Sequence, residues 1–291
     1  TFLTMKFVIL ACLLMCLLEG MPAPFTRVLQ VTDPLMSGKD VLIAQTFLSR
    51  TSYLNVTVDG YYGKSTAFAV SVFTKTQGLP VTDKVDDTTA DALLKLSDDG
   101  YSDDGKAPSE SGHLYKVHLK VQRNRCLQAN ATLFGQNGTR LFEFVVRAHG
   151  HAETGDHPWP DYTCDEGLNE FTSDGNTPTG LMSFDLNSPE GDARLYGPYP
   201  VNRAVAGLQG NAALLLPHIR NGILMHTGEW PGWKPPAQMP NSAGCIHSWP
   251  QNIEHVWHLL VAEGVVVRDN PGGVTPYPYK EQGLLSVELI R

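Results

Sequence analysis

The chain has 291 residues, with 22 Lys plus Arg against 30 Asp plus Glu, for a net charge of −8. That balance argues against nucleic acid or an anionic membrane surface as partner, because both recruit clustered cations. The length allows one large or two modest domains, each with a core of its own.

From Met5 the chain reads Lys6, then a dozen apolar residues from Phe7 to Leu18, then Glu19-Gly20. A charged residue, a short apolar run and small residues predict a secretory signal over 5–20, shorter than the ~20 apolar residues of a membrane span. Cleavage is expected within Gly20–Ala23, giving a secreted protein. Cys126, Cys164 and Cys245 then remain, an odd count that outside the cell implies one disulfide and one free thiol. Asn55-Val56-Thr57, Asn130-Ala131-Thr132 and Asn137-Gly138-Thr139 have the form of N-glycosylation acceptors.

A helical domain is expected over 25–97. Val41, Ala44 and Leu48 recur at helical spacing, as do Thr66, Ala69, Val70 and Phe73. Between them Asp59-Gly60-Tyr61-Tyr62-Gly63 reads as a turn. Thr88-Thr89-Ala90-Asp91 has capping-box form ahead of a third helix with Leu93, Leu94 and Leu96. Gly38-Lys39-Asp40-Val41, Gln45 to Leu48, Asp59 through Phe73 and Gly78-Leu79 resemble the peptidoglycan-binding-like family, with Asp87 where its half-repeat has a second Gly. The resemblance implies a three-helix domain that attaches to cell wall.

Residues 98–112 are acidic and rich in Gly and Ser, the composition of a linker. From His113 the period changes to two. Leu114 to Val121 alternates as a half-buried strand, and Asn137-Gly138 marks a hairpin before the strand Arg140–Val146. Leu181 to Phe184 follows the turn Thr177-Pro178-Thr179-Gly180. Ser248-Trp249-Pro250-Gln251 opens a helix whose apolar stripe is Ile253, Val256, Trp257 and Leu260, ended by Gly264. Val265-Val266-Val267 reads as the next strand, and His255 and His258 as surface residues.

The chemistry concentrates between His226 and His247. Cys245 is the strongest common nucleophile once a positioned imidazole takes its proton, and His226 can supply that base. Gly244 allows close backbone approach, so that the N–H groups of Gly244 and Cys245 can face a developing oxyanion. His226, a gap of fifteen residues, then Ser242-Ala243-Gly244-Cys245 resembles the signature of the L,D-transpeptidases, whose Thr-Pro-x-Gly turn matches 177–180. The resemblance covers 113–291 and implies a mainly β, sandwich-like catalytic domain with a helix against it.

It further implies acyl transfer on peptidoglycan stem peptides through a Cys245 thioester, with an amine or water as acceptor. Ser242 would support the turn, and the carbonyl of Ala243 would orient His226. His247 stands where the family carries Arg or Asn and would meet the substrate, with Trp230 and Trp233 as walls of its groove. Cys126 then pairs with Cys164 and leaves Cys245 free. The expected partner is peptidoglycan, with neither nucleic acid nor membrane, and the protein a monomer.

His149-Gly150-His151, Asp156, His157 and Asp161 raise zinc as a possibility, but their spacing fits no metal motif, so a solvated loop is expected and no cofactor or metal. The alternative function is a wall-binding protein whose second domain is only a scaffold. Intact His226 and Cys245 argue against it. A papain-like protease would carry Cys ahead of His, the reverse of the order here.

Overall fold

The computed structural model describes residues 21–151, 160–164, 169–229 and 238–290. The signal at 5–20 and both Trp230 and Trp233 lie outside the described residues. The chain divides into two units, Thr1–Ser97 and Asp98–Arg291.

In the first unit, helices α1 (Lys39–Ser49), α2 (Lys64–Thr76) and α3 (Asp87–Leu94) bury the faces that periodicity marked. Val41, Ala44, Phe47 and Leu48 of α1 meet Ala69, Val70 and Phe73 of α2 and Leu93 of α3 in the core. Gln45 ties α1 to the turn. Its Oε1 accepts from the Asp59 and Gly60 N–H groups, and its Nε2 donates to Asp59 Oδ1, Tyr61 O and Thr66 Oγ1. The cap of α3 is not the threonine pair but Asp86, whose carboxylate accepts from Thr89 N at 2.9 Å.

The second unit corrects the sandwich expectation. Among the described residues its eight strands are β1 (Tyr115–Val121), β2 (Ala129–Gly135), β3 (Arg140–Arg147), β4 (Gly180–Asn187), β5 (Val201–Gln209), β6 (Leu224–His226), β7 (Ile246–Ser248) and β8 (Gly283–Leu289). They close a barrel in the order β1-β2-β3-β7-β6-β5-β4-β8. The seam is the parallel pairing of β1 with β8, from Tyr115↔Gly283 to Val121↔Leu289. Alternation in sequence assigns each strand two faces but cannot reveal that the two edges meet.

Following the register around the barrel, Val117, Leu119, Ala131, Phe184, Met225, Ile246 and Leu285 line the interior. Tyr115 spans that interior to donate its hydroxyl to Asn202 Oδ1 at 2.8 Å. Gly283 makes room for it, since a Cβ there would collide with the Tyr115 ring.

Of the helices α4 (Ala193–Tyr196), α5 (Gly210–Leu215) and α6 (Pro250–Ala262), the last buries Ile253, Val256 and Leu260 and leaves His255 and His258 exposed. Ser248 does not cap it. Its hydroxyl donates to Val145 O, and the cap position is Trp249. Val265–Val267 form no strand, and Arg268 alone bridges to Asn187.

Residues 98–112, expected as a linker, belong to the second unit. Asp103 accepts from Lys116 Nζ at 2.8 Å with both side chains buried, Tyr101 Oη meets Ser286 Oγ, and Ser102 donates to Glu288. Composition suggested a free segment, and the buried ion pair holds it to the barrel instead.

Candidate functional site

Strands β6 and β7 run parallel in the register Met225↔Ile246 and His226↔His247. With Met225 and Ile246 facing inward, side chains of the other parity face outward. One step back in the register, Leu224 meets Cys245, and its N–H donates to the thiol sulfur at 3.4 Å. Cys245 and His226 therefore stand diagonally on one outer face. Tyr196, at the end of the short helix α4 (Ala193–Tyr196), packs against the cluster of Val201, Leu224 and Cys245, and its ring centroid is 5.1 Å from that of His226.

The turn ahead of Cys245 is built by its own residues. Ser242 Oγ donates to the Cys245 carbonyl at 2.7 Å and accepts from the Gly244 N–H at 3.1 Å. Gly244 has φ +98, where a side chain is strained, and a Cβ there would collide with Arg220 Nη2. The Gly244 N–H, expected to face an oxyanion, is bonded to Ser242 Oγ in the resting turn.

Ala243 differs from expectation too. Its carbonyl accepts from Arg220 Nη2 at 3.2 Å, while His226 Nδ1 donates to Thr227 O at 2.6 Å. A carbonyl only accepts, so neutral His226 carries its proton on Nδ1 and keeps the Nε2 lone pair, the tautomer a general base needs. His247 is buried, donates Nδ1–H to Pro240 O, and meets His226 edge-on with centroids 4.6 Å apart. It packs against His226, and the two rings are buried to the same extent.

Burial sets the charges. It pushes the Cys245 thiol up to about 11, against the Leu224 N–H and the Arg220 and Arg203 guanidinium groups, which favour thiolate. It pulls His226 down to about 4, opposed by the Thr227 carbonyl. At neutral pH the pair is thiol and imidazole, not thiolate and imidazolium. The thiol itself donates to Gly222 O at 3.4 Å.

Three features escaped sequence reasoning. Arg220, buried, donates to the carbonyls of Glu170, Gly175, Asn176 and Ala243, and nothing in Ile219-Arg220-Asn221 signals that role. Thr177 Oγ1 donates to Gly244 O at 2.9 Å, so the Thr-Pro-x-Gly turn fastens the turn before Cys245. Arg147, in register with His247, holds Asn241 Oδ1 through Nε and Nη2 just before Ser242.

Cys126 and Cys164 form a disulfide, and Cys245 is free. His149, expected on a solvated loop, is buried, and its carbonyl accepts from Ser242 N, while His151 pairs with the buried Asp161. Residues 152–159 lie outside the described residues. Among the described residues no group of three or more His, Cys, Asp or Glu is placed to hold a metal. A cleft of about 570 Å³ is lined by Arg203, His218, Gly222, Gly273, Tyr277 and Glu281, and Gly222, whose carbonyl accepts from the thiol, links it to Cys245.

Residues 37–93 match the family model described as "Putative peptidoglycan binding domain", so the helical unit carries that domain. No curated protein matches the chain. Among solved structures the chain is similar to the SleB N-terminal domain, at 32% identity over 24% of this chain and 90% of that one, with a TM-score of 0.22. It is 17% identical to an L,D-transpeptidase (Yku) from Stackebrandtia nassauensis over 83% of this chain and 94% of that one, with a TM-score of 0.28. A fused zinc-dependent amidase/peptidase/peptidoglycan-binding domain-containing protein from Clostridium acetobutylicum ATCC 824 is 15% identical over 90% and 99%, with a TM-score of 0.24.

Proposed function

We propose that this chain is a cysteine acyltransferase of the L,D-transpeptidase kind, acting on peptidoglycan stem peptides. The observation that carries the reading is the register of β6 and β7, which sets a free thiol and an imidazole in the base tautomer diagonally on one face. His226 Nε2 takes the thiol proton as Cys245 Sγ attacks the stem carbonyl, and the Cys245 N–H faces the oxyanion. Collapse expels the terminal residue as its amine, which takes the proton from His226 and leaves a thioester. An amine acceptor then gives a cross-link, and water gives a trimmed stem.

Export belongs to the same proposal. The acceptor residues Asn55, Asn130 and Asn137 are all exposed, and no helix among the described residues is long and apolar enough to cross a membrane. A monomer that binds wall through its helical unit completes the reading. One observation favours the alternative of a binding protein with an idle second unit: the thiol and imidazole are both buried and neutral. Incubating the protein with tetrapeptide stems and weighing it intact decides between them. An adduct on the wild type that is lost in Cys245→Ala is expected, and the same adduct on the variant, or none on either, would refute the enzyme reading.

A further inference from the structure

Phe68 is the most exposed large apolar side chain described, at 71%. It sits on α2 between Ala67 and Ala69, off the face that buries Thr66, Ala69, Val70 and Phe73. The core of the helical unit is therefore complete without it, and a polar residue at 68 would cost the fold little. The ring lines an open concavity of about 420 Å³ with Val31, Lys64, Ala67, Ser71 and Asp83. Val31 is itself 40% exposed, so two apolar side chains face water in a hollow edged by an amine, a hydroxyl and a carboxylate. Ser71 Oγ donates to Ala67 O, so its own oxygen remains an acceptor.

We infer that this concavity is a glycan subsite, in which Phe68 stacks on an N-acetylated amino sugar of the wall polymer. The inference rests on the peptidoglycan-binding reading of residues 37–93 and adds the place and the moiety. A pyranose chair presents a flat face of C–H groups that suits an exposed aromatic ring, and its hydroxyl and acetamido groups project from the rim. Lys64 can donate to an acetamido oxygen, and Asp83 can accept from an amide N–H or a hydroxyl. The volume is in the range of small-ligand sites. A protein partner would need about 800 Å² of contact on this side, far more than one ring and one valine provide. A free stem peptide, charged along its length, gains little from the Phe68 ring.

The test uses the full chain with Cys245→Ala, so that no turnover intervenes. Retention is measured on insoluble peptidoglycan and on chitin, a peptide-free polymer of N-acetylglucosamine. Phe68→Ala should weaken retention on both by about tenfold while leaving thermal unfolding unchanged, and Phe68→Trp should retain binding. A soluble tetrapeptide stem should not compete for chitin. If Phe68→Ala holds both polymers like its parent, the subsite assignment is wrong while wall binding stands. If the parent binds wall but not chitin, or the stem peptide competes, the concavity takes peptide rather than sugar and the assignment is again wrong. A parent protein that holds neither polymer would remove the wall-binding reading itself.

Discussion

The charge state of Cys245 can be read directly by alkylation. With the thiol pushed up to about 11, the thiolate fraction at pH 7 is ~10⁻⁴, against a few per cent for an unperturbed thiol. Iodoacetamide modification followed by intact mass should therefore run roughly two orders of magnitude more slowly than for a free cysteine at pH 7. Steric burial also slows the reaction, but by the same factor at every pH, so the profile is the diagnostic quantity. The rate should climb about tenfold per pH unit to pH 10 without a plateau. Cys126 and Cys164 are bonded, so one adduct is expected on protein lacking the signal residues with Cys12 and Cys16, and near-ultraviolet dichroism checks that the fold persists. His226→Ala should leave this profile in place, because the resting pair is not ionic, while acyl transfer is lost with the base. A plateau below pH 8 in the wild type, abolished in His226→Ala, would refute the neutral pair and establish a thiolate–imidazolium pair instead.

Acid should weaken the second unit through His226. Its folded value of about 4 lies below the unfolded 6.5, so its contribution is complete above pH 6.5 and lost as pH falls towards 4. The loss amounts to roughly 3 kcal/mol. His247, also depressed by burial, adds in the same direction. Urea midpoints followed by hydrogen exchange at pH 7 and 4.5 should show the drop in the wild type and a smaller one in His226→Asn, and parallel curves would disprove the assignment. Gly244→Ala forces a side chain to φ +98 and displaces Arg220 from the Ala243 carbonyl, which should cost about 3–5 kcal/mol. A melting temperature within a degree of wild type would show that the turn relaxes freely. Asp86→Ala removes the α3 cap and should cost about 1 kcal/mol in the helical unit, read by chemical denaturation. An unchanged midpoint there would mean that another group caps Thr89 N.

Local pattern reached some of this molecule and long-range pairing decided the rest. The faces of α1, α2 and α6 follow from apolar residues at a spacing of 3.6, and β1 from alternation, because each is set by near neighbours. The thiol and imidazole could be singled out because nucleophile chemistry restricts residue type, and the odd cysteine count pointed to the Cys126–Cys164 bond. Closure of the barrel was not legible, since the 161 residues from 122 to 282 separate β1 from β8 and no periodicity records a partner at that distance. The fate of 98–112 turned on a single buried pairing of Asp103 with Lys116, invisible to composition. Most of what holds the candidate site is of this kind. Arg220, Thr177 and Arg147 come from three separate segments, and only the fold brings their donors to the carbonyls and amide that fix the turn before Cys245. The charges of the pair are likewise tertiary, because desolvation depends on what covers a group rather than on its sequence neighbours.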